Sequence, residues 1–157
     1  MMKPSIGSPA PLFSAPVIGG EFTTEAPLNL ADHRGQKVVL VFYPKDNTPG
    51  CTTQACEMRD NWEALSGKAK VFGVSIDDVK SHEKFITKQE LPYPLIADVD
   101  KEIVEAYGVW VEKSMYGKKF MGTERTTFVI DEEGKVEAVF PKISPKKHLA
   151  TLLDHLG

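Results

Sequence analysis

The sequence is poor in cysteine, in basic clusters and in long apolar runs. Its longest basic clusters, Lys118-Lys119 and Lys146-Lys147, are only pairs, and the formal net charge of the chain is −3. Nucleic-acid binding usually needs a concentrated basic face. No stretch approaches the roughly 18 apolar residues of a membrane span, and the N-terminus has Pro, Gly and Ser where a signal peptide is apolar. We therefore expect a cytoplasmic protein with no nucleic-acid or membrane partner.

The composition is that of an ordinary globular protein, with 41% hydrophobic and 26% charged residues. A chain of 157 residues buries about two-thirds of the surface that its unfolded form exposes, so it needs neither a disulfide nor a metal to fold. No internal repeat or linker stands out, and we expect residues 1–157 to form one domain. The two cysteines, Cys51 and Cys56, are five positions apart, and in a reducing compartment such a pair is more often reactive than structural.

Apolar patterns predict strands that alternate with helices. Val38–Tyr43 is a β-branched and aromatic run stopped by Pro44, typical of a strand buried on both faces. The elements predicted after it are a helix from about Cys51 to Leu65, a strand over Val71–Ile76, a helix over Val79–Gln89, a strand over Leu95–Ala97, a short helix over Lys101–Tyr107, a hairpin of Thr126–Ile130 with Val136–Phe140, and a helix over Pro145–Leu156.

The fold class predicted by this order is α/β, with a mixed central sheet covered by helices on both faces. Ahead of that sheet, the first 35 or so residues are rich in Pro and Gly. Short apolar pieces at Leu12-Phe13 and Phe22-Thr23 lie on either side of Gly19-Gly20, which predicts an N-terminal β-hairpin extension.

Cys51 is placed where a buried strand leads through a Pro-Gly loop into a helix. Thr48 followed by Pro49 is typical of a helix start. The backbone amides and the macrodipole at a helix N-terminus favour a thiolate. Complete ionisation would raise the reactive fraction of an ordinary thiol only about 30-fold at pH 7, so fast chemistry also needs fixed donors around the reacting atoms. Thr48, Arg125 and the local amides are the candidates.

The spacing of Cys51 and Cys56 sets a geometric condition. Five positions on an ideal helix give about 7.5 Å of rise and about 140° of rotation, hence a Cα separation of about 8.6 Å. A disulfide allows about 7 Å at most. The helix must therefore unwind before these two cysteines can form a bond.

The segment from Phe42 to Cys56 reads FYPKDNTPGCTTQAC and contains the pattern Pro-x-x-x-Thr-x-x-Cys. It resembles the active-site segment of the Q-type peroxiredoxins, the bacterioferritin comigratory protein family. The resemblance covers nearly the whole chain and continues in the segments Met58-Arg59-Asp60, Tyr107-Gly108-Val109-Trp110, Tyr116-Gly117-Lys118-Lys119 and Arg125-Thr126-Thr127-Phe128-Val129-Ile130-Asp131.

This resemblance implies a thioredoxin-like fold and a thiol peroxidase that reduces hydrogen peroxide and organic hydroperoxides. It implies that Cys51 attacks the peroxide and that Cys56 resolves the sulfenate as an intrachain disulfide. Thr48 would hydrogen-bond the thiolate and the peroxide, Arg125 would orient and stabilise them, and Pro44 would shield the site from water. Met58 stands where family members often have Phe, a change of packing rather than of chemistry.

The resemblance also implies partners. Thioredoxin or a similar dithiol protein would return the electrons, since the chain has no nucleotide-binding motif with which to collect them. No metal, haem or flavin is required. An intrachain resolving cysteine removes the need for a dimer, so a monomer is the expected state, with a weak dimer as the alternative.

Other interpretations of the same residues stay open at this point. Both cysteines can be small buried hydrophobes, Arg125 a surface charge and Pro44 a strand terminator. As a whole, the chain can be a general thiol-disulfide oxidoreductase, although such domains usually carry C-x-x-C, or a redox-regulated holdase or binding module. The histidines, which are His33, His82, His148 and His155, are scattered and predicted to lie on the surface.

Overall fold

The computed structural model describes residues 2–22 and 27–157. In chain order its elements are β1 (Ser14–Ala15), β2 (Val17–Ile18), β3 (Leu28–Asn29), a 3-10 helix (Leu30–His33), β4 (Val38–Phe42), α1 (Pro49–Asp60), α2 (Trp62–Ser66), β5 (Lys70–Ser75), α3 (Val79–Gln89), β6 (Leu95–Ala97), α4 (Glu102–Ala106), β7 (Trp110–Met115), β8 (Lys118–Thr123), β9 (Thr126–Ile130), β10 (Val136–Phe140) and α5 (Pro145–Leu156).

The central sheet has the strand order β10-β9-β4-β5-β6-β2. Strands β4, β5 and β6 are parallel, whereas β9 is antiparallel to β4, β10 to β9 and β2 to β6. Every residue of β4 is buried, as expected for a strand with helices over both faces. The predicted mixed sheet is confirmed.

Side chains of β4 alternate between two apolar clusters, one on each face of the sheet. Leu40 and Phe42 belong to one cluster, which includes residues of α4. Val39 and Val41 belong to the other, which includes Cys51 and residues of α3 and α5. This alternation follows from the two-residue period of a strand. Cys51 is therefore anchored in the apolar layer directly over the central strand.

The N-terminal segment differs from the predicted hairpin in its pairing. β1 pairs with β3, while β2 between them adds to the edge of the central sheet beside β6. A tight turn follows β2, in which the Phe22 amide donates to the Gly19 carbonyl at 2.9 Å. Thr23, which the prediction included, lies outside the described residues.

Two further differences concern the middle of the chain. The predicted single helix to Leu65 is two helices, because the Asn61 side chain donates to the Glu57 carbonyl at 2.9 Å and competes with the helical backbone pattern. An unpredicted antiparallel hairpin forms from β7 and β8 and turns at Tyr116 and Gly117. None of the helices in the described ranges is both long and apolar enough to cross a membrane.

Candidate active site

Cys51 lies in the first turn of α1 and is only 2% exposed. Thr48 is the N-cap residue, its carbonyl accepts the first helical bond from Thr52 at 2.9 Å, and Pro49 follows it as predicted. The amides of a helix's first turn have no partner within the helix, and they form its positive end. The fold therefore places a buried sulfur at a helix terminus that favours negative charge.

Arg125 reaches this sulfur from the short connection between β8 and β9. Its Nη2 donates to Cys51 Sγ at 3.4 Å, and its Nη1 donates to Oε1 of Gln54 at 2.6 Å. The Ile143 amide donates to the Arg125 carbonyl at 3.0 Å, so the main chain of Arg125 is also held by a hydrogen bond. The planar guanidinium thus holds two side chains of α1 at once.

Gln54 is a site residue that the sequence interpretation missed. It is 2% exposed and lies three positions after Cys51, so both side chains lie on the same face of α1. Its Nε2 has no hydrogen-bond partner in the described part of the chain. The signal was the i, i+3 spacing from the cysteine, which is too common in helices to select a residue by itself.

Thr48 is half-buried, and its hydroxyl donates to the Lys45 carbonyl at 2.8 Å. It does not cap α1 through its side chain. Within the described ranges, no hydrogen bond joins its Oγ1 to Cys51 Sγ. The lone pairs of Oγ1 are therefore left as acceptors. Pro44, half-buried, begins the loop that carries Thr48.

The loop after Pro44 is fixed by a buried carboxylate. Asp46, 5% exposed, accepts hydrogen bonds through Oδ1 from the Tyr43 hydroxyl at 2.6 Å and through Oδ2 from the Ser81 hydroxyl at 2.8 Å. His82 Nδ1 lies 2.7 Å from Asp46 Oδ2. Burial, together with the charge of Asp46, raises the pKa of the Tyr43 hydroxyl. These contacts join the loop to the start of α3.

The prediction of surface histidines was wrong for His82 and His148, which are 0% and 1% exposed. His82 is enclosed because its Nε2 lies 2.9 Å from the Ile96 carbonyl while Nδ1 faces Asp46, so both ring nitrogens have partners. His33 is half-buried against Phe22 and Phe72. Scattered positions in sequence gave no sign of these long-range contacts.

His148 lies on α5, with Nε2 at 2.7 Å from the Thr127 hydroxyl. Burial, together with the charge of Arg125, lowers its pKa to about 4. The unfolded chain, with an ordinary histidine pKa of about 6.5, binds this proton more readily than the folded chain does. His148 therefore contributes its full stabilisation above pH 6.5, which is lost as the pH falls toward 4.

We expect the free energy of unfolding to fall by about 2 kcal/mol between pH 7.5 and pH 5 on account of His148. The measurement is urea unfolding of the wild type and of His148→Gln at both pH values. The variant should lose less stability over this interval, because glutamine does not titrate. Equal losses in the two proteins would contradict the assignment.

Lys113 on β7 belongs to the same electrostatic environment. Burial and then the Arg125 charge lower its pKa, while Cys51 acts in the opposite direction. In the ranges 2–22 and 27–157, no three His, Cys, Asp or Glu side chains are grouped as metal ligands. Arg125, Lys113 and the N-terminus of α1 contribute positive charge around Cys51.

Cys56 lies on the same helix as Cys51 but faces different neighbours. It is half-buried, and its Sγ donates to Oε1 of Gln89 at 3.3 Å. Arg59, three positions later on α1, donates through Nη1 to the Gln89 carbonyl at 2.7 Å. Both cysteines are free thiols and α1 is continuous between them, so the structure is that of the reduced, folded helix.

Comparison with known proteins agrees with this geometry. The AhpC/TSA family profile matches residues 6–139. Peroxiredoxin Bcp of Bacillus subtilis is 44% identical over 82% of this chain and 83% of its own length, and peroxiredoxin Bcp of Escherichia coli K12 is 41% identical over 96% and 94%.

A solved structure is similar in sequence and in fold. It is that of the Xanthomonas campestris bacterioferritin comigratory protein, described for its alkyl peroxide reduction activity, with a TM-score of 0.82 and 36% identity over 92% of this chain and 89% of that one. The thioredoxin-like fold and the peroxidase class are thereby shown. The chain belongs to the AhpC/TSA family, in which it is a peroxiredoxin of the Bcp or Q type.

Proposed function

We propose that this peroxiredoxin reduces hydrogen peroxide and organic hydroperoxides through a Cys51 sulfenate, which Cys56 resolves as an intrachain disulfide. The contact of 3.4 Å between Arg125 Nη2 and Cys51 Sγ, at the N-terminus of α1, carries the proposal. A guanidinium and a helix N-terminus both favour negative charge on a neighbouring sulfur, and the thiolate rather than the thiol is the nucleophile. The alkyl peroxide activity of the similar Xanthomonas protein supports the organic substrates.

In the first step the Cys51 thiolate attacks one oxygen of the hydroperoxide. The S–O bond forms as the O–O bond breaks, and the departing oxygen leaves as water or an alcohol after it takes up, through solvent, the proton that the Cys51 thiol lost on ionising. Negative charge moves from sulfur to the departing oxygen, so donors that reach both atoms lower the barrier. We assign this role to Arg125 and the amides of the first turn of α1, and the contact of Arg125 with Cys51 Sγ supports the assignment.

Thr48 and Pro44 complete the proposed site. Because the Thr48 hydroxyl already donates its hydrogen to the Lys45 carbonyl, its oxygen is available to accept a hydrogen bond from the O–H of a peroxide. Pro44 is proposed to shield the site from water, because its ring is apolar and it has no amide hydrogen to donate. The Asp46 contacts keep this loop in one conformation.

In the second step Cys56 gives up its thiol proton and attacks the Cys51 sulfur, and hydroxide leaves the sulfenic acid as water with that proton. The continuous helix between the cysteines keeps them too far apart for this bond. The step therefore requires the first turns of α1 to unwind. Thioredoxin or a similar dithiol protein then reduces the disulfide by thiol exchange.

The remaining proposals follow from this chemistry. The whole chain acts as one domain, because the two apolar clusters share the central sheet. A monomer suffices, with a weak dimer as the alternative, because both cysteines belong to one chain. The site described needs no metal, haem or flavin, and a dithiol donor suits the reducing cytoplasm.

A single-turnover experiment tests the proposal. The pre-reduced protein is mixed with one equivalent of hydrogen peroxide and analysed by intact and peptide mass spectrometry, beside Cys56→Ser. We expect the wild type to lose two hydrogens and to yield a Cys51–Cys56 peptide, and the variant to accumulate a Cys51 sulfenic acid. A Cys51 that stays reduced for many seconds in both proteins would refute the proposed function.

A further inference from the structure

We propose that Gln89, the last residue of α3, is a positioning residue that holds Cys56 and the third turn of α1 in place until Cys51 has been oxidised. The inference rests on the proposed function, because it concerns the step in which Cys56 reacts. Two contacts carry it. Cys56 Sγ donates to Gln89 Oε1 at 3.3 Å, and Arg59 Nη1 donates to the Gln89 carbonyl at 2.7 Å.

Gln89 is itself fixed by the way α3 ends. Glu90 adopts a left-handed conformation with φ 53°, and its amide donates to the Ile86 carbonyl. The carbonyls of the last helical turn have no partner within the helix. The Arg59 guanidinium satisfies the carbonyl of Gln89, and its positive charge is favourable at this negative helix end. The contact therefore stabilises both helices together.

These contacts bear directly on the resolving step. Cys56 must leave its position on α1 to reach the Cys51 sulfenic acid, and any opening that moves it breaks its bond to Gln89. Further opening of the third turn also releases Arg59 from the Gln89 carbonyl. The bonds to Gln89 therefore stabilise the closed helix relative to the open one, and they slow disulfide formation.

A slower resolving step has a chemical consequence. While Cys51 remains a sulfenic acid, a second hydroperoxide can oxidise it to the sulfinic acid, with release of another molecule of water or alcohol. The proportion of over-oxidised protein depends on how this reaction competes with helix opening. Gln89 thereby sets part of the sensitivity of the enzyme to excess peroxide.

Gln89→Ala tests the inference, because it removes the Cys56 contact and leaves the backbone carbonyl in place. Loss of one weak hydrogen bond at a half-exposed site should make disulfide formation about threefold faster and leave Cys51 oxidation unchanged. Amide exchange of residues 52–60 in the reduced protein should rise about threefold as well, and the sulfinic fraction at excess peroxide should fall. Stopped-flow kinetics measures disulfide formation, hydrogen exchange measures the opening of α1, and mass spectrometry measures the sulfinic fraction.

Two further variants show whether the effect belongs to the acceptor oxygen. Gln89→Glu keeps an acceptor opposite the Cys56 thiol, so the Cys51–Cys56 disulfide should form no faster than in the wild type. Thr87→Ala changes an exposed residue of the same helix and should also match the wild type. Wild-type exchange and wild-type disulfide formation in Gln89→Ala would overturn the inference. Equal acceleration in Gln89→Ala and Gln89→Glu would also overturn it.

The exchange measurement needs no peroxide and separates the two proposals. If the wild type does not oxidise Cys51 but exchange in reduced Gln89→Ala still rises, the proposed function fails and the holding role of Gln89 stands. If Cys51 oxidises and forms the disulfide at the same rate in all variants, the proposed function stands and the role of Gln89 fails.

Discussion

Replacement of Cys51 by serine should abolish peroxide consumption, with a loss of about 10,000-fold or more. The serine hydroxyl is not ionised near neutral pH and does not attack an O–O bond. The substitution exchanges one atom for a smaller one at a site that is 2% exposed, so the fold should persist. Turnover is measured as loss of hydrogen peroxide with dithiothreitol as the reductant.

Cys56→Ser is the matched control for this experiment. It should retain the first oxidation of Cys51, because Cys56 contacts Gln89 rather than Arg125. The same pair of variants separates the peroxidase from a holdase, since a holdase suppresses aggregation without consuming peroxide. If Cys51→Ser kept turning over while Cys56→Ser lost the first oxidation, the assigned roles of the two cysteines would be reversed.

The predicted fold was most accurate where the apolar pattern was strong. The bounds of β9, β10 and α5 agree with the prediction, because apolar strand residues flanked by turn residues and the period of an amphipathic helix are clear in the sequence. The hairpin of β7 and β8 has no clear apolar pattern, since most of its residues are exposed or half-buried. Its turn has φ of 52° at Tyr116 and 78° at Gly117. Tyrosine rarely occupies such a position, so the usual turn signal was missing.

The candidate site shows a similar division. Cys51, Thr48 and Pro44 were predicted as site residues from one short segment, and the structure places Arg125 Nη2 3.4 Å from Cys51 Sγ. The contact of Asp46 with His82, which helps to fix the loop after Pro44, was not predicted. The two residues are 36 positions apart and neither belongs to a local pattern. Contacts of this kind depend on how helices and loops pack over the sheet. A single sequence read by local periodicity does not contain that information.

Replacement of Arg125 by methionine should slow the oxidation of Cys51 by about 100- to 1,000-fold, the usual effect of losing one donor to the developing charge. Arg125→Lys should recover only part of the rate, because an ammonium cannot bind Cys51 Sγ and Gln54 Oε1 with the two arms of a fork. The second-order rate constant with hydrogen peroxide is the measurement. Arg34→Met, at an exposed arginine, is the matched control.

The same variant has a second readout that does not depend on turnover. The Arg125 charge helps to lower the pKa of His148, so its removal in Arg125→Met should raise that pKa above about 4 while burial keeps it below the ordinary value. An NMR titration of His148 measures the shift and shows that the variant is folded. A raised His148 pKa with a wild-type oxidation rate would mean that Arg125 lies beside the thiol without stabilising the reaction.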